Sequence, residues 1–471
     1  MSSLPNILFL MMDEHRADVT GYEGNTVIRT PTLDTLAKTG VVFRNAYTPS
    51  PICVPGRQCM MAGQLPKTCG CEGWVDLKPG YMTFARQLAR RSYMTVACGK
   101  LHHVGTDQMQ GWCQRIGNEM VVSQAYIEDK VAEAFRENVR PFSDYKWSDA
   151  KEIARAGVGR APNVAADEYA VEGALQFIEE YFNNSYYDRE QGSRPLLLKV
   201  SLIQPHYPYS ADEAKFGYYL NRVTPYLNQT VSDHPFLSER RVTPGVDASV
   251  RELTRATAAY YSMIETADNH FARVLAALES VGQKLDEWII IYTSDHGEML
   301  GEHGIWEKQK FYEGSVRVPL VIRWPAHLPG GRVATENVNL CDLFATLCDL
   351  TGIPIPGNLD SRSLAPILRG QSAAWFNESV SEFSRANVPL PPDDRRSAHR
   401  GSAGGGDVVN LMIKHDDLKY QYYGPEMPEV LFDLGRDPAE ETDYSHDRHY
   451  ADAMGRFRAR ARELGFMEKM A

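Results

Sequence analysis

The chain has 471 residues, of which 24% are charged and 43% hydrophobic, and its formal net charge is -11 at pH 7. This length and composition are typical of a globular enzyme with one large domain and a smaller appendage. The acidic balance argues against a nucleic-acid partner, so an anionic substrate would have to be attracted by local positive charge.

The cysteines argue against a disulfide-stabilised protein, and the apolar segments argue against a membrane-spanning one. The eight cysteines are scattered singly apart from Cys69 and Cys71, so we expect reduced thiols and no disulfide framework. The apolar run at residues 7–12 has no basic segment before it and leads directly into Asp13 and Glu14, which favours a buried strand over a secretory signal. No segment is long and apolar enough to span a membrane, and we expect a cytoplasmic protein without a membrane partner.

Short apolar runs recur along the first three quarters of the chain. They predict strands at residues 6–12, 95–98, 196–203, 288–293 and 320–324. Near-continuous apolar runs are typical of strands that are buried on both faces of a mainly parallel sheet. Residues 259–278 carry apolar side chains at spacings of three and four, which predicts a helix. The alternation indicates an α/β fold, with a large mainly parallel or mixed sheet sandwiched by helices.

The amino-acid composition of the sequence changes after about residue 370. A polar stretch rich in Pro and Gly at residues 389–406 predicts a long mobile loop. Residues 418–423 and 430–434 predict an antiparallel hairpin, and residues 451–464 could form a final helix. We therefore divide the chain into a catalytic domain, residues 1–370, and a C-terminal subdomain, residues 371–471.

Polar side chains follow several of the predicted strands. Asp13, Lys100, His206 and the pair Asp295-His296 all stand where an apolar run ends. In open α/β sheets, sites form at the carboxyl ends of strands, so we expect these side chains to converge. Each residue alone could be a solvated loop residue, but aspartate and histidine together can ligate a divalent ion.

One five-residue segment, Cys53-Val54-Pro55-Gly56-Arg57, carries the strongest chemical signal. Pro55 suits the first turn of a helix, which would place Cys53 at a helix N-terminus. Backbone amides and the helix dipole favour an anion there. By itself, the pattern is more typical of a buried structural cysteine beside a Pro-Gly turn.

The pattern Cys-x-Pro-x-Arg resembles the signature that a maturase reads in type I sulfatases when it oxidises cysteine to formylglycine. Gly99-Lys100-Leu101-His102 resembles the second signature of that family, and the ordered motifs extend over residues 6–443. The chain therefore resembles the formylglycine-dependent sulfatases of the alkaline phosphatase superfamily. The resemblance implies an alkaline phosphatase-like fold that ends in a small antiparallel sheet with a packed helix.

The resemblance also implies a chemistry for Cys53. Formylglycine hydrate offers two geminal hydroxyls, of which one attacks the sulfur of a sulfate ester and the other later expels the sulfate. A serine would be left holding a stable sulfate ester.

A single divalent ion is implied at the same place, held by Asp13, Glu14, Cys53 as formylglycine, Asp295 and His296. Glu14 stands where the family usually has Asp, so it either ligates at longer reach or lies behind the ligands. Oxygen-dominated ligation favours calcium, while the histidine leaves manganese or magnesium open.

The family motifs assign two cations and a base. Lys100 and Lys308 would bind the sulfate oxygens, and His102 would act on the spare hydroxyl of formylglycine. His103 and Lys310 are neighbouring competitors for two of these roles, although the motif spacing favours His102 and Lys308.

Two further catalytic residues follow from the resemblance. His206, in the segment Gln204-Pro205-His206, would donate a proton to the departing alcohol. Arg57 would pair with formylglycine or with the metal carboxylates, because its planar fork suits oxygen anions.

These residues predict a sulfuric ester hydrolase that cleaves aryl or carbohydrate sulfate monoesters. The alternative is a phosphonate monoester or phosphodiester hydrolase of the same superfamily, or an enzyme with both activities. Those relatives have uncharged hydroxyl residues in place of the Lys-x-His pair, so Lys100 and His102 favour sulfate. A metal-binding scaffold without activity would be expected to lack Cys53 or Lys308. The expected partners are a small sulfate ester and the maturase; the leaving group and the oligomeric state stay open.

Overall fold

The computed structural model describes residues 4–117, 149–183, 194–239, 241–371, 375–384 and 409–467. The loop predicted at residues 389–406 lies outside these ranges. The strands are β1 (Ile7–Asp13), β2 (Val41–Phe43), β3 (Ala46–Tyr47), β4 (Met94–Gly99), β5 (Gln114–Ile116), β6 (Gly157–Val158), β7 (Leu196–Pro205), β8 (Ser210–Ala211), β9 (Ile289–Ser294), β10 (Leu320–Arg323), β11 (Arg332–Ala334), β12 (Val338–Asn339), β13 (Glu378–Ser384), β14 (Val409–His415), β15 (Leu418–Tyr422) and β16 (Val430–Asp433).

The helices alternate with these strands over most of the chain. They are α1 (Pro31–Thr39), α2 (Cys53–Ala62), α3 (Pro66–Cys69), α4 (Phe84–Ala89), α5 (Asp149–Arg155), α6 (Pro162–Asn183), α7 (Glu213–Leu220), α8 (Val250–Ser280), α9 (Glu313–Val316), α10 (Asp342–Thr351), α11 (Ala365–Leu368) and α12 (Ala451–Glu463). Within the described ranges, none of these helices is both long and apolar enough to cross a membrane.

An eight-stranded mixed sheet forms the centre of the molecule, in the order β11-β2-β10-β9-β1-β7-β4-β5. The central strands β9, β1, β7 and β4 are mutually parallel, whereas β10 runs antiparallel to both of its neighbours. Successive side chains of β1 enter two different apolar clusters: Ile7, Phe9 and Met11 pack on one face, and Leu8, Leu10 and Met12 on the other. Helices cover both faces, so the predicted α/β sandwich is confirmed.

The predicted strands all form, with ends that differ by one or two residues. The predicted helix also forms, but it is longer than expected: residues 259–278 are the inner part of helix α8. Helix α8 begins after Ser249, whose side chain and that of Glu252 form a reciprocal capping box. That Ser-x-x-Glu pattern was the sequence signal for the earlier start.

A second, four-stranded antiparallel sheet follows in the order β13-β14-β15-β16. The predicted hairpin corresponds to β15 and β16, and it is confirmed. Helix α12 packs on this sheet through Met454, Phe457 and their neighbours. The boundary between the two units at residue 370 stays a prediction, because strand β13 also contacts the first unit through a bond from Glu382 N–H to the Pro49 carbonyl at 2.8 Å.

All eight cysteines lie in the described ranges, and none of them forms a disulfide there.

A buried cluster of charges joins the C-terminal sheet to the catalytic unit. Lys419 on β15 is fully buried and contacts Glu313 at 2.9 Å as well as Glu440. The backbone N–H of Glu313 donates to Glu440 at 2.6 Å, and Gln421 donates to the Phe311 carbonyl at 3.2 Å. Residues 311–313 are therefore held by the C-terminal sheet.

Replacing Lys419 by Met should destabilise the protein strongly, because two carboxyl groups would stay buried without their ammonium partner. Removal of one partner of a buried pair costs about 3–5 kcal/mol of unfolding free energy. Chemical denaturation would measure the loss. The matched control is Lys284→Met, since the Lys284 side chain is 79% exposed and its ion pair should contribute about 0–1 kcal/mol. Equal losses in the two variants would contradict this view of the cluster.

Candidate active site

Cys53 is the first residue of helix α2, as the sequence predicts, and it is buried. Its Sγ atom lies 3.1 Å from His296 Nε2 and 3.7 Å from Asp13 Oδ1. Burial raises the pKa of the Cys53 thiol well above its ordinary value, and the charge of Asp13 adds to this. An unmodified Cys53 is therefore a neutral thiol and a weak nucleophile at physiological pH.

Glycine is required one turn into the same helix. A Cβ on Gly56 would lie 3.0 Å from the Ser50 carbonyl oxygen and 3.2 Å from that of Asp295. The helix that carries Cys53 can therefore approach the Asp295 strand end closely only because position 56 has no side chain.

Arg57, one turn after Cys53, lies at the base of the site and is completely buried. It donates to Asp295 and to Asp13 at 2.7 Å each. The remaining guanidinium nitrogen, Nη1, donates to the Lys100 carbonyl at 2.8 Å and to Ser201 Oγ at 2.9 Å. One side chain thus joins the carboxyl ends of β1, β9 and β4 to the middle of β7.

The predicted metal ligands form a compact group. Ligand atoms of Asp13, Cys53, Asp295 and His296 all lie within 4.8 Å of one another, and all four residues are buried. Burial opposes the charge of Asp13, but the cations beside it outweigh burial and hold its pKa well below the ordinary value. Two carboxylates, an imidazole and the position-53 side chain are a donor set that fits a divalent ion.

Glu14 lies beside this group, on the side of Lys308. Its Oε2 contacts Lys308 Nζ at 2.7 Å and His206 Nε2 at 3.3 Å. Glu14 and Glu298 each have one buried carboxyl oxygen without a donor among the described residues, and the two groups interact. Burial raises the pKa of Glu14 well above its ordinary value against the attraction of Lys308, and Glu298 adds to the rise. A nearby cation would relieve the repulsion of these carboxylates.

Two buried lysines face the acidic residues. Lys100 Nζ contacts Asp13 at 2.8 Å, and Lys308 Nζ contacts Glu14 at 2.7 Å. Burial opposes both charges, but these carboxylates outweigh it and raise the pKa of both lysines. Lys310, the competitor of Lys308, donates instead to a backbone carbonyl of another loop.

The adjacent histidines differ in what surrounds them. Burial, and then the charge of Lys100, lower the pKa of His102 well below its ordinary value, and its ring packs edge-on against Trp74 at 4.8 Å. His103 Nδ1 contacts the Gln108 carbonyl at 3.0 Å, away from the acidic group. Of the two, His102 is therefore the one beside the charged site residues, while its catalytic role stays a prediction.

His206 follows the end of β7 and reaches the same place. Its Nδ1 contacts the Tyr207 carbonyl at 2.6 Å, so this nitrogen carries the proton, and Nε2 accepts from Lys308 at 2.9 Å. Burial, Lys308 and Lys100 lower the pKa of His206 well below its ordinary value. The imidazole is therefore neutral in the free protein.

The structure thus brings all the predicted site residues to one edge of the sheet. The sequence reading missed the residues that hold them. Glu298 Oε1 accepts the N–H groups of Leu300 at 2.8 Å and Glu307 at 2.6 Å, which supports the segment before Lys308. Its position in the Asp-His-Gly-Glu motif was an available signal. Asn163 and Asp167 on α6 bind the backbone around His206, and no local pattern marks them.

Comparison with known proteins agrees with this geometry. The family model described as Sulfatase matches residues 5–353. A choline-sulfatase from Rhizobium meliloti is 30% identical over 94% of this chain and 83% of its own. An arylsulfatase from Clostridium perfringens is 27% identical over 95% of this chain and 92% of its own.

Among solved structures, the phosphonate monoester hydrolase of Agrobacterium radiobacter superposes with a TM-score of 0.78 at 22% identity, covering 98% of this chain and 95% of its own. At that identity, the likeness concerns the fold. The family match and the sulfatase relatives concern the activity. The chain belongs to the sulfatase family and is a sulfatase, an enzyme that hydrolyses sulfate esters.

Proposed function

We propose that the enzyme hydrolyses sulfate monoesters at position 53, with Lys100 and Lys308 as the two cations that bind the sulfate oxygens. The observation that carries this proposal is the pair of buried ammonium groups, which contact Asp13 and Glu14 and act electrostatically on Cys53. Fixed cations in a site shielded from water stabilise developing negative charge without reorganisation. Lys100 also favours sulfate over phosphonate monoesters, as the resemblance of Gly99-Lys100-Leu101-His102 to the second sulfatase signature implies.

Conversion of Cys53 to formylglycine by the maturase is part of the proposal. Residue 53, once converted and hydrated, would supply one hydroxyl to attack sulfur as the alcohol leaves, and a second hydroxyl to release the sulfate and regenerate the aldehyde. The unmodified thiol cannot take this role, because it has a single nucleophilic group and no second hydroxyl to expel the sulfate. Arg57 holds Asp13 and Asp295 in place beneath the nucleophile.

Asp13, Asp295, His296 and the modified residue 53 would hold one divalent ion, with Glu14 at its edge. Calcium is proposed because oxygen donors dominate the set. When bound, the ion supplies Lewis-acid stabilisation of charge on the sulfate oxygens.

The two histidines take different steps. Burial and Lys100 keep His102 neutral, which suits a base that removes the proton from the spare hydroxyl when sulfate leaves. His206 has its Nε2 beside Lys308 and Glu14, and it would give a proton to the departing alcohol from that atom. The negative charge of a bound sulfate favours the imidazolium form that this step needs. The cytoplasmic location stays a prediction.

Asp295→Ala should lose the metal and nearly all activity, because it removes a ligand and leaves Arg57 with one carboxylate instead of two. Elemental analysis after gentle purification measures the metal, and Asp233→Ala, at an exposed position, is the control. Glu14→Gln should retain metal if Glu14 lies behind the ligands. Full activity in chelator, with no metal in the native protein, would reject the ion site.

Cys53 should be found as formylglycine when the maturase is present during production. Peptide mass spectrometry distinguishes the aldehyde or its hydrate from the thiol. Protein made without maturase should be folded and inactive in multiple turnover, as should Cys53→Ser. Active enzyme that carries only a thiol at position 53 would refute the mechanism.

Lys100→Ala should lower aryl sulfate turnover by about two to three decades, or ~3–4 kcal/mol of barrier, the effect of losing one preorganised charge partner. The exposed Lys78→Ala is its control.

His102→Ala should instead allow the sulfated intermediate to accumulate, which mass spectrometry of the peptide containing residue 53 detects after rapid quenching. The assignment fails if Lys100→Ala leaves sulfate turnover intact, or if the native enzyme strongly prefers aryl phosphonates.

A further inference from the structure

The chain segment that carries His206 lies beyond the end of a strand pairing. Strand β7 pairs with β4 up to Ser201, opposite Gly99, but β7 itself continues to Pro205. The backbone N–H groups beyond Ser201 on this edge need other acceptors, because buried backbone groups are almost always paired. The hydrogen-bond partners of these groups therefore influence where the end of β7 places the backbone of His206.

Helix α6 contacts this backbone through two side chains that are four residues apart and so share one face of the helix, and one of them, Asp167, supplies the acceptors. Asp167 accepts the N–H of Ile203 at 2.6 Å with one carboxylate oxygen and the N–H of Gln204 at 2.8 Å with the other. Asp167 thus replaces the missing strand just before His206.

The second side chain acts on the other side of the histidine. Asn163 Nδ2 donates to the His206 carbonyl at 2.8 Å and to the Pro208 carbonyl at 3.2 Å. Both α6 residues are buried, so these bonds do not compete with water. Together they hold the backbone before, at and after His206.

The contacts of Asp167 require a carboxylate. Burial raises the pKa of Asp167 to about 7, and the two backbone N–H groups are its largest stabilising contacts. Only a carboxylate offers two acceptor oxygens to adjacent N–H groups, since an amide of the same size has one. Such a costly buried group is unnecessary for packing a helix on a sheet.

We propose that Asn163 and Asp167 are positioning residues that set the orientation of the His206 imidazole during sulfate ester hydrolysis. His206 Nε2 lies 2.9 Å from Lys308 Nζ and 3.3 Å from Glu14, so a shift of its backbone by a fraction of an ångström would misplace the proton that it gives. This inference rests on the proposed role of His206.

The test compares substrates whose leaving groups need a proton to different extents. A 4-nitrophenolate leaves readily without one, whereas phenolate benefits from protonation. Asp167→Asn should lower kcat/KM for phenyl sulfate by about tenfold or more, as loss of well-placed acid catalysis does, and change that for 4-nitrophenyl sulfate by less than about threefold. Asn163→Ala should show the same selectivity. All variants are made with the maturase, and their fold is checked by circular dichroism.

The matched control is Glu172→Gln, the same chemical change on an exposed part of α6 where the side chain is 63% exposed, and it should leave both substrates unaffected. In a His206→Ala background, Asp167→Asn should change kcat/KM for either substrate by less than about twofold, because residues that act through one another are not additive. A purely structural role would still reduce activity there.

The outcomes separate the two levels of the proposal. If His206→Ala itself shows no dependence on the leaving group, the acid role of His206 is wrong. If His206→Ala slows phenyl sulfate more than 4-nitrophenyl sulfate, but the Asn163 and Asp167 variants affect both substrates equally or not at all, the positioning role is wrong. Failure of both α6 variants to fold would also overturn it, since the contacts would then serve stability.

Discussion

The buried guanidinium of Arg57 is the interaction on which the rest of the site depends. Transfer of a charged group from water into a protein interior costs several kcal/mol, so it persists only with full compensation. Arg57 receives compensation from Asp13 and Asp295, both at 2.7 Å, and its Nη1 group donates to the Lys100 carbonyl and to Ser201 Oγ. The ends of three strands and the middle of β7 are thereby held at one point, directly beneath residue 53.

Around Arg57, carboxylate and ammonium groups are paired in succession. Asp13 contacts Lys100, and Glu14 contacts Lys308, so each ammonium group is held by a carboxylate that is itself placed by the end of β1. This arrangement resolves the conflict between an acidic protein and an anionic substrate. The net charge of -11 is spread over the whole chain, whereas the local surroundings of residue 53 include fixed cations. Under the proposed function, this local field would bind the sulfate ester.

The C-terminal sheet takes part in the same construction. Lys308 belongs to a segment that is supported on one side by Glu298 and, a few residues later, by Lys419 and Gln421 of β15. A lysine on an unsupported loop would lose part of its effect, because stabilisation of a transition state requires charges that are already in place. The four-stranded sheet is therefore structurally coupled to the segment that carries Lys308.

The sequence by itself determined the strands, the edge where the site forms and the residue types that meet there. A near-continuous apolar run such as residues 288–293 predicts a strand that is buried on both faces, and the strand found there is buried at every position. Asp295 and His296 follow directly after it. The Cys-x-Pro-x-Arg pattern placed Cys53 at a helix start because Pro55 suits the first turn.

Only the tertiary structure decided which of two neighbours faces the site. His102 rather than His103, and Lys308 rather than Lys310, face the acidic group because the backbone turns between them, with His102 at a φ of 61°. The contacts of Asn163 and Asp167 with backbone atoms about forty residues away were equally beyond the sequence. They recognise a backbone whose position depends on sheet register, and no side-chain pattern records that.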